Sequence, residues 1–213
     1  EMVLTKDVTA TPMTAYTMKL LSGSGTSELQ GTNGVTYSAT TAFVMASEEK
    51  ARSLSDRPLV KIAGSGGVVT HFSLAQEADL GALGWPKAAA QAYAQAGWDA
   101  KDAQFAQIYD SYPVILAIAV EGLGIAPKGE AAKRFAAGEY SPGGAFPINT
   151  NGGLLSGGHI ALGGGMALLL EAVRQLMDSA PSERQIKNCR RGIVGGTGGS
   201  YSDAQVLLLE RLD

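Results

Sequence analysis

From Leu59 onward, apolar runs alternate with helix-like segments, and glycine marks most of the junctions between them. Leu59–Gly64 reads as a strand that runs into Gly-Ser-Gly-Gly. Pro86–Ala96 reads as a helix, with Trp85 before it, Pro86 in its first turn and Gly97 at its end. Ala103–Ile108 is a second strand or the approach to one. Pro113–Leu123 is an apolar helix stopped by Gly124, and Glu130–Ala137 is a short helix stopped by Gly138. Phe146–Ile148 is a short strand. Gly165–Met177 is a helix apolar nearly all round, so burial is expected. Arg191–Val194 and Ala204–Leu209 read as two adjacent strands. Such alternation predicts a layered α/β fold with a mainly parallel sheet between helices, made mixed by the final strand pair.

Before Leu59 the pattern is weaker. Residues 1–34 are rich in Thr, Ser and Gly, which predicts loop with one short helix over Pro12–Leu21. Tyr37–Ser47 is small and β-branched, a buried strand. Ser47 then caps a helix over Glu48–Leu54, whose acids Glu48 and Glu49 lie in its first turn. Arg57-Pro58 punctuates the chain.

Composition narrows the function classes. A hydrophobic content of 45% with 17% charged residues is ordinary globular material, and 213 residues suffice to bury a core. A net charge of −3 argues against a nucleic-acid surface. The 28 glycines cluster at turns without a period, which excludes collagen-like sequence. A single cysteine, Cys189, excludes an intrachain disulfide and a cysteine metal cluster. The apolar runs Pro113–Val120 and Ala161–Leu170 are about half of the roughly 20 residues a bilayer span needs. With no signal-peptide pattern legible, the cytoplasm is the default expectation. Glu1 precedes Met2, so an untouched initiator terminus is not expected.

The segment richest in chemistry is Asn149-Thr150-Asn151-Gly152-Gly153-Leu154-Leu155-Ser156-Gly157-Gly158-His159. It places a histidine on a tight glycine turn between a strand and a helix. Glycines there admit close backbone approach to a ligand, and imidazole exchanges protons near neutral pH. Other candidates are weaker. Cys189 lies in Lys187-Asn188-Cys189-Arg190-Arg191, where cations would lower a thiol pKa, yet it sits at the wrong end of its strand for the glycine turn and reads as structural. His71 reads as a surface-loop residue, and Arg190 and Arg191 as a solvated edge. Neither Gly64-Ser65-Gly66-Gly67 nor Gly163-Gly164-Gly165 completes a phosphate-loop motif, so nucleotide binding is not expected.

The histidine segment resembles the NxxGGxxxxGHP loop of the thiolase superfamily, with Ile160 where that family has proline. Two further segments, one before it and one after it, stand in the order of the family. Asp110–Glu130, DSYPVILAIAVEGLGIAPKGE, is similar to the thiolase segment in which an acidic-aromatic motif opens a helix ending in E-x-L-G and then K-G-E. Gly192–Gly199, GIVGGTGG, is similar to the last glycine turn of the family. Gly31–Lys50 resembles the run into the last strand and helix of a thiolase N-terminal domain. Roughly residues 10–213 can be placed on the C-terminal half of the family. The resemblance thus implies that residues 1–55 are the remainder of an N-terminal thiolase domain and 56–213 the C-terminal domain, with the chain beginning near the middle of the usual protein.

What the resemblance implies for single residues follows position by position. His159 would help activate a nucleophilic cysteine and donate to the thioester oxygen. Tyr109, Asp110 and Ser111 occupy an N-E-A-F or H-D-C-F motif. Tyr109 replaces the Asn or His that holds an oxyanion-hole water, and Ser111 replaces the proposed acid/base cysteine of the sterol-carrier type. Tyr109 can instead end a strand and Asp110 cap the helix that follows. Gly196 and Gly198 would offer backbone N–H groups to an oxyanion, with Val194 where the C-x-G cysteine would stand. Asn151, Gly152 and Gly198 would contact substrate.

The thiolase nucleophile is absent from this sequence, so the resemblance implies an N-terminal half on another chain or a removed segment. Three functions remain open. One is a thiolase-like acyltransferase on 3-oxoacyl-CoA, with coenzyme A as cosubstrate and no permanently bound cofactor or metal. The second is a retro-aldol lyase like the steroid side-chain aldolases, which lack the cysteine and use tyrosines. The third is a non-catalytic scaffold. A dimer of thiolase units and a small zinc-ribbon/OB-fold partner protein are further implications of the resemblance.

Overall fold

A computed structural model of the chain describes residues 16–19, 29–30, 36–37, 44–54, 56–158 and 163–213. Strand β1 spans Tyr16–Lys19, β2 Leu29–Gln30, β3 Thr36–Tyr37 and β4 Val44–Ser47, followed by helix α1, Glu48–Leu54. Beyond them come β5 (Leu59–Val69), α2 (Trp85–Ala96), β6 (Phe105–Ile108), α3 (Pro113–Gly122), α4 (Ala131–Ala136), α5 (Gly153–Gly157), α6 (Gly164–Leu176), β7 (Arg191–Gly196) and β8 (Asp203–Leu212). Six strands form one sheet in the order β4-β1-β5-β8-β7-β6, while β2 and β3 pair separately.

The sheet is mixed, as expected, but its described pairings are mostly antiparallel. β1 runs antiparallel to β4 and β5, and β8 antiparallel to β5 and β7. Parallel pairing joins β6 to β7 and adds a single bridge from Ala106 to Ile148. The short glycine turn between β7 and β8 leaves no room for a crossover, so the chain must reverse. The mainly parallel sheet predicted from strand–helix alternation is corrected accordingly.

Strands β6, β7 and β8 feed both faces. Ile108, Ile193, Val206 and Leu208 pack with α2 and α3 on one side. Phe105, Val194 and Leu209 pack with Ala172, Val173 and Leu176 of α6 on the other. This is the period-2 alternation of a sheet buried on both faces. Each fully buried large side chain contributes about 1.5–3 kcal/mol. Gly66 sets the depth of α2: a Cβ there would lie 1.9 Å from the Ala88 carbonyl oxygen. At this distance the helix also completes the strand, because the Gly67 amide donates to Gln91 Oε1 and the Ser65 amide to Gln95 Oε1, both at 3.1 Å.

Helix boundaries agree with the sequence signals to within two residues. Gly97, Gly124 and Gly138, expected as stops, all adopt positive φ. Ser47 Oγ accepts from the Lys50 amide at 3.3 Å, as the cap of α1 should.

Several expectations fail. Tyr16–Lys19, inside the expected helix Pro12–Leu21, is a strand, because it is paired on both edges; the rest of that expectation lies outside the described residues. Of the buried strand expected over Tyr37–Ser47, the described residues Tyr37 and Val44–Ser47 are strand, and what fails is the burial. Met45 is 53% exposed because β4 is the sheet edge. Phe146–Ile148 makes one bridge, not a strand. Pro147 has no N–H for a ladder, and Asn149 turns left-handed at φ 51°. α6 is not uniformly buried: Met166 is 36% exposed, and Glu171 and Gln175 lie in the core. His71, expected on the surface, is buried; its Nδ1 lies 2.8 Å from Thr70 Oγ1 and 3.3 Å from Glu77 Oε2.

Candidate functional site

Three loops leave the same end of the sheet. One follows β6 (109–111), one follows the Ile148 bridge (149–153), and one follows β7 (197–202). The C-terminal ends of parallel strands are where α/β sheets place ligands, since the loops there fan apart.

The first two loops are bolted together by Asn149 and Asp110. Backbone pairing beside β6 stops at Asn149, whose amide N–H still reaches the Ala106 carbonyl at 3.0 Å. Its side chain then supplies the next rung. Asn149 Oδ1 accepts from the Ile108 amide at 2.7 Å and Nδ2 donates to the Ile108 carbonyl at 2.8 Å. A side-chain amide carries one donor and one acceptor in the plane of a peptide, so it substitutes for a strand residue while the backbone turns away. Asp110, 3% exposed, accepts from the Leu154 amide at 2.7 Å and the Leu155 amide at 3.4 Å. It therefore caps α5, in the histidine loop, rather than α3. Helix α3 begins after Tyr112 with no side-chain cap and Pro113 in its first turn. Gly153 makes room: at φ 62°, a Cβ there would come 2.2 Å from Asp110 Oδ2. Asn151 folds the same turn, its Oδ1 accepting from the Gly153 amide at 3.0 Å, and Gly152 sits at φ 93°.

The third loop is tied to the first. The Tyr109 amide donates to the Gly195 carbonyl at 2.9 Å, extending the β6–β7 pairing by one residue. The Tyr109 ring reaches the start of α6: its Cε2 would lie 3.6 Å from a Cβ on Gly164. Ser111 Oγ lies 3.1 Å from Tyr201 Oη. Gly196 ends β7 opposite Gln205. Gly198, expected to offer its N–H to an oxyanion, already donates to Asp203 Oδ1 at 2.6 Å. Its amide is committed to closing the turn. His159 and Ile160 lie outside the described residues. The described chain resumes at Gly163, directly before α6.

Under the histidine loop lies a buried polar network that periodicity does not reveal. Thr150 Oγ1 donates to Glu171 Oε1 at 2.7 Å and accepts from Gln107 Nε2 at 2.9 Å. Glu171 is 2% exposed, and Arg184 grips both its oxygens, at 3.0 and 3.3 Å. A buried carboxylate survives there because a guanidinium fork and a hydroxyl satisfy it. The legible signal was Glu171 and Gln175, one turn apart in a helix read as apolar nearly all round.

Cys189 is placed away from this end, before β7, about 17 Å of strand from Gly196. Burial and the nearby Asp178 push its thiol up to about 11, opposite to the lowering its basic neighbours suggested. Its Sγ contacts the Gln175 carbonyl oxygen at 3.2 Å. Arg190 pairs with Asp213, and Arg191 with Glu210 at 3.0 Å over the Trp98 ring. A cleft of about 710 Å³ opens elsewhere, lined by Lys101, Gln104, Gly143, Arg184 and Lys187; of the candidate loops only Thr150 borders it. Among the described residues no three of His, Cys, Asp and Glu gather as metal ligands, and no helix is long and apolar enough to cross a membrane.

The chain is similar to known proteins over part of its length. The chain is 35% identical over 144 residues to the 17-hydroxy-3-oxo-4-pregnene-20-carboxyl-CoA lyase of Mycobacterium tuberculosis, covering 63% of this chain and 35% of that protein. It is 29% identical over 163 residues to an acetyl-CoA acetyltransferase of Methanothermobacter thermautotrophicus, covering 75% and 42% respectively. Among solved structures, an Ltp2-ChsH2(DUF35) aldolase superposes with a TM-score of 0.69 at 26% identity, over 79% of this chain and 43% of that one. The chain thus spans less than half the length of the relatives it matches. Residues 66–211, which contain all three loops, match the model of the family described as thiolase C-terminal domain-like, and the chain belongs to that family.

Proposed function

We propose that this chain supplies the C-terminal half of a site that makes or breaks a carbon–carbon bond in a coenzyme A thioester. The observation that carries the reading is the joining of the histidine loop to the Tyr109 motif through Asp110. That bond spans 44 residues and, together with the Asn149–Ile108 pair, fixes the relation between the two loops. In this reading residues 56–213 are the C-terminal domain and residues 1–55 the end of an N-terminal domain whose remainder completes the site. His159 and Tyr109 hold the thioester oxygen, Ser111 acts from the same motif as Tyr109, and Gly196 faces the second oxyanion. Asn151, Gly152 and Gly198 shape the substrate path, Gly198 through close backbone approach. Removing a proton α to a thioester, or cleaving at that carbon, places negative charge on the thioester oxygen, and fixed donors lower that barrier.

Two chemistries share this need. Thiolysis of a 3-oxoacyl-CoA requires a nucleophilic cysteine and free coenzyme A. Retro-aldol cleavage of a 3-hydroxyacyl-CoA requires neither, only a base for the hydroxyl proton and a donor for the enolate. A thiolase-like acyltransferase needs the N-terminal half to bring the cysteine. The aldolase reading is favoured by Tyr109 and Ser111 in the motif and by the burial of Cys189 away from the loops. A second protein chain, in the manner named for the Ltp2-ChsH2(DUF35) aldolase, and a dimer of thiolase units belong to the same proposal, as does a cytoplasmic setting.

The test is a pair of assays on the intact protein. Cleavage of a 3-oxoacyl-CoA only when free coenzyme A is added supports the acyltransferase. Release of a carbonyl product from a 3-hydroxyacyl-CoA without free coenzyme A supports the lyase. In either, His159→Ala should abolish turnover; full activity in that variant would support a scaffold role and sink both readings.

A further inference from the structure

We infer that Tyr201 is a further catalytic residue of this site, its phenol donating a hydrogen bond to the substrate oxygen that gathers charge, with Ser111 as its support. The inference rests on the CoA-thioester reading above. It starts from a shortage. The glycine turn after β7 is where a backbone donor was expected, but the Gly198 amide is taken by Asp203 Oδ1 at 2.6 Å. Val194 stands where a cysteine of the C-x-G pattern would provide an acid, and its side chain is buried toward α6. What that turn presents instead is a hydroxyl: Tyr201 Oη, 3.1 Å from Ser111 Oγ.

The placement of Tyr201 is enforced. It adopts φ 59°, a left-handed conformation that a bulky side chain rarely occupies. Such a residue persists where its surroundings over-determine it, and these positions gather at functional sites. Here the surroundings are identifiable. Thr197 Oγ1 donates to the Asp203 carbonyl at 2.7 Å, closing the turn across its base. The Thr70 amide donates to the Ser202 carbonyl at 2.8 Å, tying the turn to the end of β5. His71, next in sequence, is anchored by Glu77, so the tie is itself rigid. The strained residue is therefore clamped on both sides, and its ring is aimed at the motif that carries Tyr109 and Asp110. Tyr201 is only partly buried, so a ligand can reach it.

The hydrogen-bond inventory allows either hydroxyl to donate to the other, and the proposal takes Ser111 as the donor. Each hydroxyl has one proton and accepts through its lone pairs. If Ser111 donates to Tyr201 Oη, the phenol proton is left for a third atom, and a phenol is the stronger donor of the two. A donor received on its oxygen also becomes a better donor through its proton. The pair then presents one polarised O–H toward the space beside Tyr109.

The experiment compares wild type, Tyr201→Phe, Ser111→Ala and the double variant, with kcat and KM measured separately on the intact protein using whichever CoA thioester it turns over. Phenylalanine keeps the ring and its packing. The expected result is a loss in kcat of about 10²-fold for Tyr201→Phe, as for removal of one oxyanion donor, with KM changed less than about threefold. Ser111→Ala should lose less, and the double variant no more than Tyr201→Phe alone, because the two hydroxyls act as one unit. Wild-type kcat in Tyr201→Phe, or losses in KM and melting temperature alone, would overturn the inference and leave the CoA-thioester reading standing. A wild-type protein that neither binds nor turns over a CoA thioester would overturn both.

Discussion

Replacing Asp110 by alanine removes the acceptor that holds the first turn of α5. The carboxylate receives two backbone N–H groups, one at 2.7 Å and one at 3.4 Å, in a site where Asp110 is 3% exposed and Leu154 is buried. A hydrogen bond to a charged group contributes about 1.5–3 kcal/mol, and a buried donor left without a partner costs about 1–3 kcal/mol. The short bond dominates, the long one adds little, and the buried Leu154 amide finds no substitute in alanine. The expected destabilisation is about 3 kcal/mol. Asparagine keeps one acceptor at the Oδ1 position and loses the charge, so Asp110→Asn should cost about 1–2 kcal/mol. For a domain of this size, 3 kcal/mol corresponds to a fall of roughly 6–12 °C in melting temperature. Thermal melts give the total, and amide hydrogen exchange gives the location: the Leu154 amide should lose protection in both variants, and the β8 amides should keep theirs. Unchanged protection at Leu154 in Asp110→Ala, with unchanged stability, would refute the assignment of Asp110 as the cap of the histidine loop.

Two more outcomes follow from buried groups. Arg184→Ala should destabilise by about 3 kcal/mol because it strands the Glu171 carboxylate, and Glu171→Gln in the same chain should restore part of that loss; chemical denaturation of the two variants checks it. Cys189 should resist alkylation by iodoacetamide at pH 8 in the folded protein and react at once in denaturant, read by mass spectrometry. Its folded pKa lies above the unfolded value, so the stability it contributes is present below about pH 9 and is lost as pH rises toward about 11.

The elements were legible where local chemistry decides them. Pro86 and Gly97 bracket α2, Ser47 caps α1, and Gly124 and Gly138 stop their helices, because each residue acts within one turn of itself. Sheet direction was not legible, because alternation of strands and helices says nothing of which strand neighbours which. Asp110 illustrates the same divide within the candidate site. As an acid two residues before a helix dipeptide Tyr112-Pro113, it reads as a local cap, yet its partner is 44 residues away. Tyr201 gave no signal at all: a tyrosine after Gly198-Gly199-Ser200 is unremarkable until the turn places its hydroxyl beside Ser111.

By itself the sequence determined the family and the positions of the three loops, since glycine spacing and a histidine in a fixed pattern are properties of consecutive residues. It also excluded an intrachain disulfide and a cysteine metal cluster within these 213 residues by counting to one. Only the tertiary structure decided which groups are available. The Gly198 amide is used up by Asp203, the Cys189 thiol is buried, the Glu171 carboxylate is locked under Thr150, and a hydroxyl pair is assembled from residues 90 apart. The reason is physical: a hydrogen bond or a desolvated charge depends on distance in space, and distance between remote residues is set by how the strands pair and the helices pack.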